Sequence, residues 1–494
     1  MVKRFWLGLF LCVLATLAQA EENISRSLVK IYTTANIYNY KTPWQAPIQQ
    51  NQIGTGFIIS GNRILTNAHV VANSVFIEVR LANDAMRYTA FVETIGHDCD
   101  LAVLRVENPK FFDDSLALKF GHLSKSRERV TVFGFPLGGE ELSITEGIVS
   151  RVETQEYVHS GARLLIQQID AGINLGNSGG PVLSQNKVVG VVHQSFWGGQ
   201  NIGYMIPLPV VEHFLKDSVH QSGYAGFPTL DLTIQSMENA DLRNYYHMGS
   251  QHTGIRIAQI NPFSSVAGIL QINDIILAVD GIPIFNDGTV LFEQQRLSAD
   301  YLISRHFIGE SISFKILRNK QVETLSVPLK NRVGSERLVP FTEYDKVPTY
   351  YVFGGLVFQP LTLNYLQGWG NDWQNAAPTN LVYEFIYGQP SKERHELVFL
   401  NRVLADELNA GYQGLQNAIV KEVNGQKIRS MKDVIQAFSL SPSAYHSILL
   451  EGDLKIILEK ERVLKGHEKL LKKYSIASPS SPDLVQEIFS PAAA

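Results

Sequence analysis

The sequence predicts a mainly β protein built from several modules, and three observations carry that reading. Short apolar runs broken by turn residues recur from residue 24 to about 207, the pattern of an all-β barrel or sandwich. Beyond a glycine-rich boundary at Gly223-Tyr224-Ala225-Gly226, apolar and polar residues alternate at 254–260 and again at 312–317, as half-buried strands do. The string Ile275-Ile276…Val279-Asp280-Gly281 is echoed by Ile419-Val420…Val423-Asn424-Gly425, an offset of 144 (425−281), which a duplicated module explains most simply. At 494 residues, 45% hydrophobic and 18% charged, the chain has room for about three ordinary globular domains.

In chain order, residues 1–20 read as a signal peptide. Lys3 and Arg4 precede an apolar run over 5–17, and Ala18-Gln19-Ala20 supplies small residues for cleavage before Glu21. The run is short for a membrane span, so the expected location is periplasmic or secreted, with no stable span after cleavage. Only Cys99 then remains, which rules out an internal disulfide in the mature chain. A net charge of -4 and the lack of a long basic run give no reason to expect a nucleic-acid partner. Strands are predicted at 28–32, 56–60, 75–79, 101–106, 130–133 and 188–192, and helical spacing appears at Val211, Phe214 and Leu215.

Three residues within this β half carry chemistry. Ser178 sits in Gly176-Asn177-Ser178-Gly179-Gly180-Pro181, where small neighbours leave a hydroxyl unhindered and let amides approach a developing oxyanion. His69 follows a short apolar run behind small Ala68, and Asp100 opens the strand 101–106. Taken singly, a tight turn, a structural histidine and a turn-forming aspartate are the plainer readings. Together, His69, Asp100 and Ser178 stand in the order His…Asp…Ser, with gaps of 31 and 78 residues, the order of the chymotrypsin-type triad. His69 is then the general base, Asp100 its orienter and Ser178 the nucleophile, with amides of Gly176, Asn177 and Ser178 as the oxyanion hole. Asp98 competes for the third role, and Asp100 is preferred because it directly precedes the apolar strand. His97 and His193 read as non-catalytic. Val192, His193, Gln194 and Ser195 should edge the substrate pocket, and the lack of an acid there predicts a small or medium apolar preference. No ligand spacing predicts a metal, and no cofactor is expected.

The segments Thr66-Asn67-Ala68-His69-Val70-Val71, Asp100-Leu101-Ala102 and Asp170-Ala171…Asn174…Gly176-Asn177-Ser178-Gly179-Gly180-Pro181 closely resemble the HtrA/Deg family of serine endoproteases, over about residues 24–215. The departures are Gly172 and Leu175, where many relatives have alanine and proline. The resemblance implies a chymotrypsin-like double β-barrel protease domain over 21–222, with activating loops at 133–139 and 197–201. Residues 224–330 resemble a PDZ domain with a helix near 298–305. Phe227, Pro228, Thr229 and Leu230 fall where the peptide-binding loop belongs, although Pro228 removes one donor. A second, degenerate PDZ-like α+β domain is expected over 345–462, with an insertion at 365–396 carrying Trp369 and Trp373, then a flexible tail over 463–494. This layout, with Pro43-Trp44-Gln45 and Pro348-Thr349-Tyr350-Tyr351, resembles a two-PDZ Deg subgroup best known in plants, and implies trimer-based homo-oligomers, hexamers among them. The expected activity is ATP-independent hydrolysis of unfolded or damaged envelope proteins. The rival is a chaperone-like holder whose serine centre is silent at rest.

Overall fold

The computed structural model describes residues 24–195, 202–219, 223–334 and 337–484. The expected signal peptide and the whole loop at 197–201 lie outside the described residues. The chain divides into two units, Met1–Ala35 with Gln49–Val333, and Asn36–Ile48 with Gly334–Ala494.

The first unit opens with two closed six-stranded barrels. One contains β1 (Leu28–Ile37), β2 (Ile48–Ile59), β3 (Arg63–Thr66), β4 (Ser74–Leu81), β5 (Tyr88–Gly96) and β6 (Leu101–Val106), in the order β1-β2-β3-β6-β5-β4. The other contains β7 (Arg129–Gly134), β8 (Ser143–Glu156), β9 (Arg163–Ile169), β10 (Pro181–Ser184), β11 (Lys187–Ser195) and β12 (Gly203–Pro207). Both faces of the inner strands are apolar because both are covered. Ile64 and Leu104 point into the first barrel, while their neighbours Leu65 and Val103 join a larger core that also holds Phe133 and Leu183 of the second. Strand periodicity of two makes that division. Burying one such side chain is worth about 1.5–3 kcal/mol. A one-turn helix, α1 (Ala68–Val71), follows β3, and α2 (Leu208–Asp217) follows β12.

After α2 comes a sheet of Leu232–Ser236, Ile255–Ile260, Ile275–Val279, Ser311–Arg318 and Gln321–Pro328, with a short helix at Asp300–Ser304 where one was expected. The second unit repeats the plan with Tyr351–Phe353, Leu356–Pro360, Val398–Val403, Gln416–Val423, Tyr445–Leu450 and Lys455–Glu459. The duplicated string is explained by its turns. Asp280-Gly281 and Asn424-Gly425 both have positive φ at both residues, the two-residue hairpin geometry that Asp/Asn-Gly pairs favour. Each turn also sends its first amide to a serine carbonyl on the next strand, Asp280 to Ser313 and Asn424 to Ser447, at 2.8 and 2.7 Å.

Two boundaries differ from expectation. Residues 36–48, expected in the protease domain, belong to the second unit: Lys41 Nζ lies 3.9 Å from the Trp369 ring centroid, and the Trp44 and Tyr350 rings meet at 6.4 Å. Trp369 and Trp373 pack against the core of the insertion. The stretch 463–484 is not a flexible tail. Its first part continues the helix Lys460–Lys473, and Val352 then donates to the Pro479 carbonyl at 2.7 Å, with Ser481 completely buried. Serine and proline side chains suggest looseness, but the backbone there has partners, and backbone pairing decides order. Among the described residues, no helix is long and apolar enough to cross a membrane.

Candidate active site

His69 follows β3 and Asp100 precedes β6, adjacent strands of the first barrel. β3 ends at Thr66, Asn67 turns the chain, and His69 is the second residue of α1. Asn67 is fully buried, and its Nδ2 donates to the Asp100 carbonyl at 2.9 Å. Asp100, the turn residue just before β6, has φ of 53°, a left-handed conformation that Asp tolerates better than most residues and that tends to be stored at functional sites. Its carboxylate is wholly buried and accepts three hydrogen bonds: His69 N–H to Oδ1 at 2.8 Å, His69 Nδ1 to Oδ2 at 2.7 Å, and His193 Nδ1 to Oδ2 at 2.8 Å. An ionised carboxylate only accepts, so each imidazole carries its proton on Nδ1, and His69 Nε2 keeps a free lone pair. Burial alone would raise the Asp100 pKa; the charge of His69 and the imidazole hydrogen bonds outweigh it and hold the group well below the usual carboxylate range. For His69, burial pulls the pKa down, but the Asp100 charge and hydrogen bond win and leave it above 6.5. The His69 side chain is 34% exposed, open enough to meet a substrate.

Ser178 belongs to a turn clamped from both barrels. Thr55 of β2 donates its amide to the Ser178 carbonyl at 2.9 Å and its hydroxyl to the Gly176 carbonyl at 2.7 Å, and Phe135 N donates to Thr55 Oγ1 at 2.9 Å. Leu137 N donates to the Leu175 carbonyl at 2.7 Å. Two positions must be glycine. Gly179 has φ of 85°, and a Cβ there would stand 2.1 Å from the Thr55 carbonyl oxygen; Gly176 has φ of 99°, and its Cβ would stand 2.3 Å from that of Phe135. The Ser178 hydroxyl donates a long 3.4 Å hydrogen bond to the His193 carbonyl; among the described residues it makes none to His69. Of the three expected oxyanion donors, the Asn177 amide is taken by Asn174 O at 3.0 Å. The amides of Gly176 and Ser178 make no hydrogen bond among the described residues.

Several expected assignments change. His193 does not edge a pocket: its ring is 3% exposed and sits on Asp100. The cause is a register shift between Val192 and Gln194 in the β11–β12 pairing, a bulge that re-aims one side chain. Val192 is also fully buried, and the Gln194 and Ser195 side chains lie outside the described residues. Asp98 faces away from His69, taking the Tyr224 hydroxyl at 2.6 Å and the Phe227 amide at 2.9 Å. That second contact corrects the peptide-binding loop. The Phe227 amide holds Asp98, and the Ala225 and Gly226 amides hold Asp217 at 2.7 and 2.9 Å. Pro228 and Thr229 pair with Arg332 and Asn331, and the Leu230 carbonyl accepts from Ser264. Carboxylates of this chain thus occupy the Ala225, Gly226 and Phe227 amides, and of the expected binding residues only Phe227 is among them. Sequence reasoning also missed His159, on the turn after β8, whose ring lies 6.1 Å from His69 and whose Nε2 is 3.0 Å from His97 Nδ1. Burial pushes its pKa down to about 3. One atom each of His69, Asp100 and His193 lie within 4.8 Å of one another, and both imidazole Nδ1 atoms contact the carboxylate.

Paired barrels that deliver a buried carboxylate to a histidine beside a serine turn, with PDZ-like modules behind, define a serine endopeptidase of the trypsin type. The trypsin-like peptidase domain family matches residues 54–191, and PDZ domain families match 233–329 and 339–483. Protease Do-like 4, mitochondrial, of Arabidopsis thaliana is 37% identical over 94% of this chain and 88% of its own. Protease Do-like 2, chloroplastic, from the same plant is 34% identical over 94% of this chain and 76% of its own. A solved HtrA-type protease with a decapeptide shares the fold, with a TM-score of 0.51 and 22% identity over 64% of this chain and 98% of that one. The chain belongs to the HtrA/Do-like protease family. The relatives also overturn the expected location: they are named mitochondrial and chloroplastic, so the apolar start of the chain does not place it in a periplasm or outside the cell.

Proposed function

We propose that the protein cuts unfolded or damaged polypeptides without ATP, with Ser178 as nucleophile, His69 as general base and Asp100 as its orienter. The observation that carries this is the buried Asp100 carboxylate holding His69 through both its amide and its Nδ1, so that Nε2 is the basic nitrogen. Ser178 Oγ attacks the scissile carbonyl carbon as its proton passes to His69 Nε2, and the oxyanion meets the amides of Gly176 and Ser178. His69 then returns the proton to the leaving amine, leaving an acyl-Ser178 ester. A water that gives its proton to His69 attacks the ester carbonyl; as the acyl C–O bond breaks and the acid is freed, His69 returns that proton to Ser178 Oγ. Self-association into trimer-based assemblies belongs to the same reading.

A second reading has two observations behind it. The Ser178 hydroxyl turns to the His193 carbonyl and the Asn177 amide is used within its own turn, as in a holder that binds chains without cutting. Wild type and Ser178→Ala are incubated with denatured casein and with a fluorophosphonate probe. Hydrolysis and labelling in wild type, both lost in the variant, support the peptidase. Suppressed casein aggregation with neither hydrolysis nor labelling supports the holder and overturns the first reading.

A further inference from the structure

His193 touches both ends of the site, yet the reaction above does not use it. Its Nδ1 meets the same Asp100 oxygen as His69 Nδ1, at 2.8 against 2.7 Å, and its carbonyl takes the Ser178 hydroxyl. The ring is buried and packs on Tyr157 with centroids 4.6 Å apart. It reaches this place through the bulge in β11, and among the described residues its Nε2 has no hydrogen-bond partner. A polar ring sealed in this way is costly unless its one bond matters. Facing it are Asp100 and His69 and, on the turn after β8, Tyr157 and His159, with His97 behind.

Resting on the assignment of His69 and Asp100 as base and orienter, we propose that His193 is a positioning residue: its Nδ1–H shares Asp100 Oδ2 with His69, fixes the plane of the carboxylate, and limits how strongly it pulls on the base. With two imidazole donors on one oxygen, the charge is divided between them. With one removed, the charge falls on His69 alone, which then holds its proton more tightly, while the carboxylate loses one of the three contacts that orient it.

The test needs no turnover. In a Ser178→Ala background, the His69 ring is titrated by NMR. His193→Phe, which keeps the packing on Tyr157 but has no donor, raises the His69 midpoint by about one pH unit. His193→Asn, which offers an amide N–H near the lost Nδ1, brings it back. In the chain with Ser178 restored, the acid limb of kcat/KM on denatured casein moves the same way. There kcat falls about tenfold in the Phe variant with KM nearly constant, and the Asn variant recovers most of it. An unmoved midpoint in folded His193→Phe, or equal losses in the Phe and Asn variants, overturns the proposal. His193→Leu replaces Phe if melting shows that variant unfolded. Hydrolysis persisting in Ser178→Ala would instead remove the proposed nucleophile, and the His69 titration would still decide the role of His193.

Discussion

Asp100→Asn tests the site at its centre. The substitution keeps the shape and removes the charge from a side chain that is wholly buried and accepts three hydrogen bonds, two of them from His69. A hydrogen bond to a charged group is worth about 1.5–3 kcal/mol. The bond to Nδ1 stabilises the imidazolium directly and the bond to the backbone amide holds it in place, so neutralising their shared acceptor costs roughly 3–6 kcal/mol in the transition state, or about two to four decades in kcat. The amide pushes the loss toward the upper end, because an NH2 group turned to Nδ1 favours the tautomer with its proton on Nε2, where it cannot act as a base. The assay is casein hydrolysis with kcat and KM separated, alongside a melting curve. KM should stay within about threefold, since nothing that binds substrate alone has changed. An Asp100→Asn variant within tenfold of wild-type kcat refutes the reasoning. So does an Asp98→Asn variant that is dead while Asp100→Asn is active, because Asp98 points at Tyr224 and Phe227.

Four further outcomes are expected. Because Asp100 holds the His69 pKa above 6.5, kcat/KM falls on the acid side at a pH above that value; a limb below 6.5 contradicts the coupling. His159, lowered from 6.5 to about 3 by burial, stabilises the fold fully above 6.5, and that contribution is lost as pH falls toward 3; the urea midpoint should decline across this window and flatten in His159→Gln. Gly179→Ala drives a Cβ against the Thr55 carbonyl at a φ of 85°, and should cost about 3 kcal/mol or more in urea unfolding, with little activity left. Truncation after residue 477 removes the Pro479 and Ser481 contacts to Val352 and Tyr350, so the melting temperature should drop by several degrees; an unchanged melt would mean that the stretch adds nothing.

The pairing of His69 with Asp100 was legible because the residue types sit in motifs whose order, not any one string, carries the meaning. The glycines at 176 and 179 were legible for a related reason: only that residue fits where carbonyls stand within 2.3 Å of a would-be Cβ. His193 was not, because Val-Val-His-Gln reads as a strand leaving the core, and only the shifted register between Val192 and Gln194 turns the ring inward. A bulge has no composition of its own. The placement of 36–48 was hidden by distance, since Asn401 reaches the Tyr40 carbonyl across 361 residues of chain. Pairing at 478–481 was hidden too, because it runs through backbone atoms that every residue shares.

Asp98 holds the Phe227 amide and stands two residues before Asp100, while Asp217 closes α2 and holds the amides of Ala225 and Gly226. The loop before the first PDZ sheet is therefore not an empty socket waiting for a guest; it already has tenants, and they are rooted in the peptidase. A carboxylate arriving at the Phe227 amide would have to displace Asp98. Asp98 and the carboxylate that holds His69 share the turn at 97–100, so the Phe227 amide and His69 are anchored two residues apart.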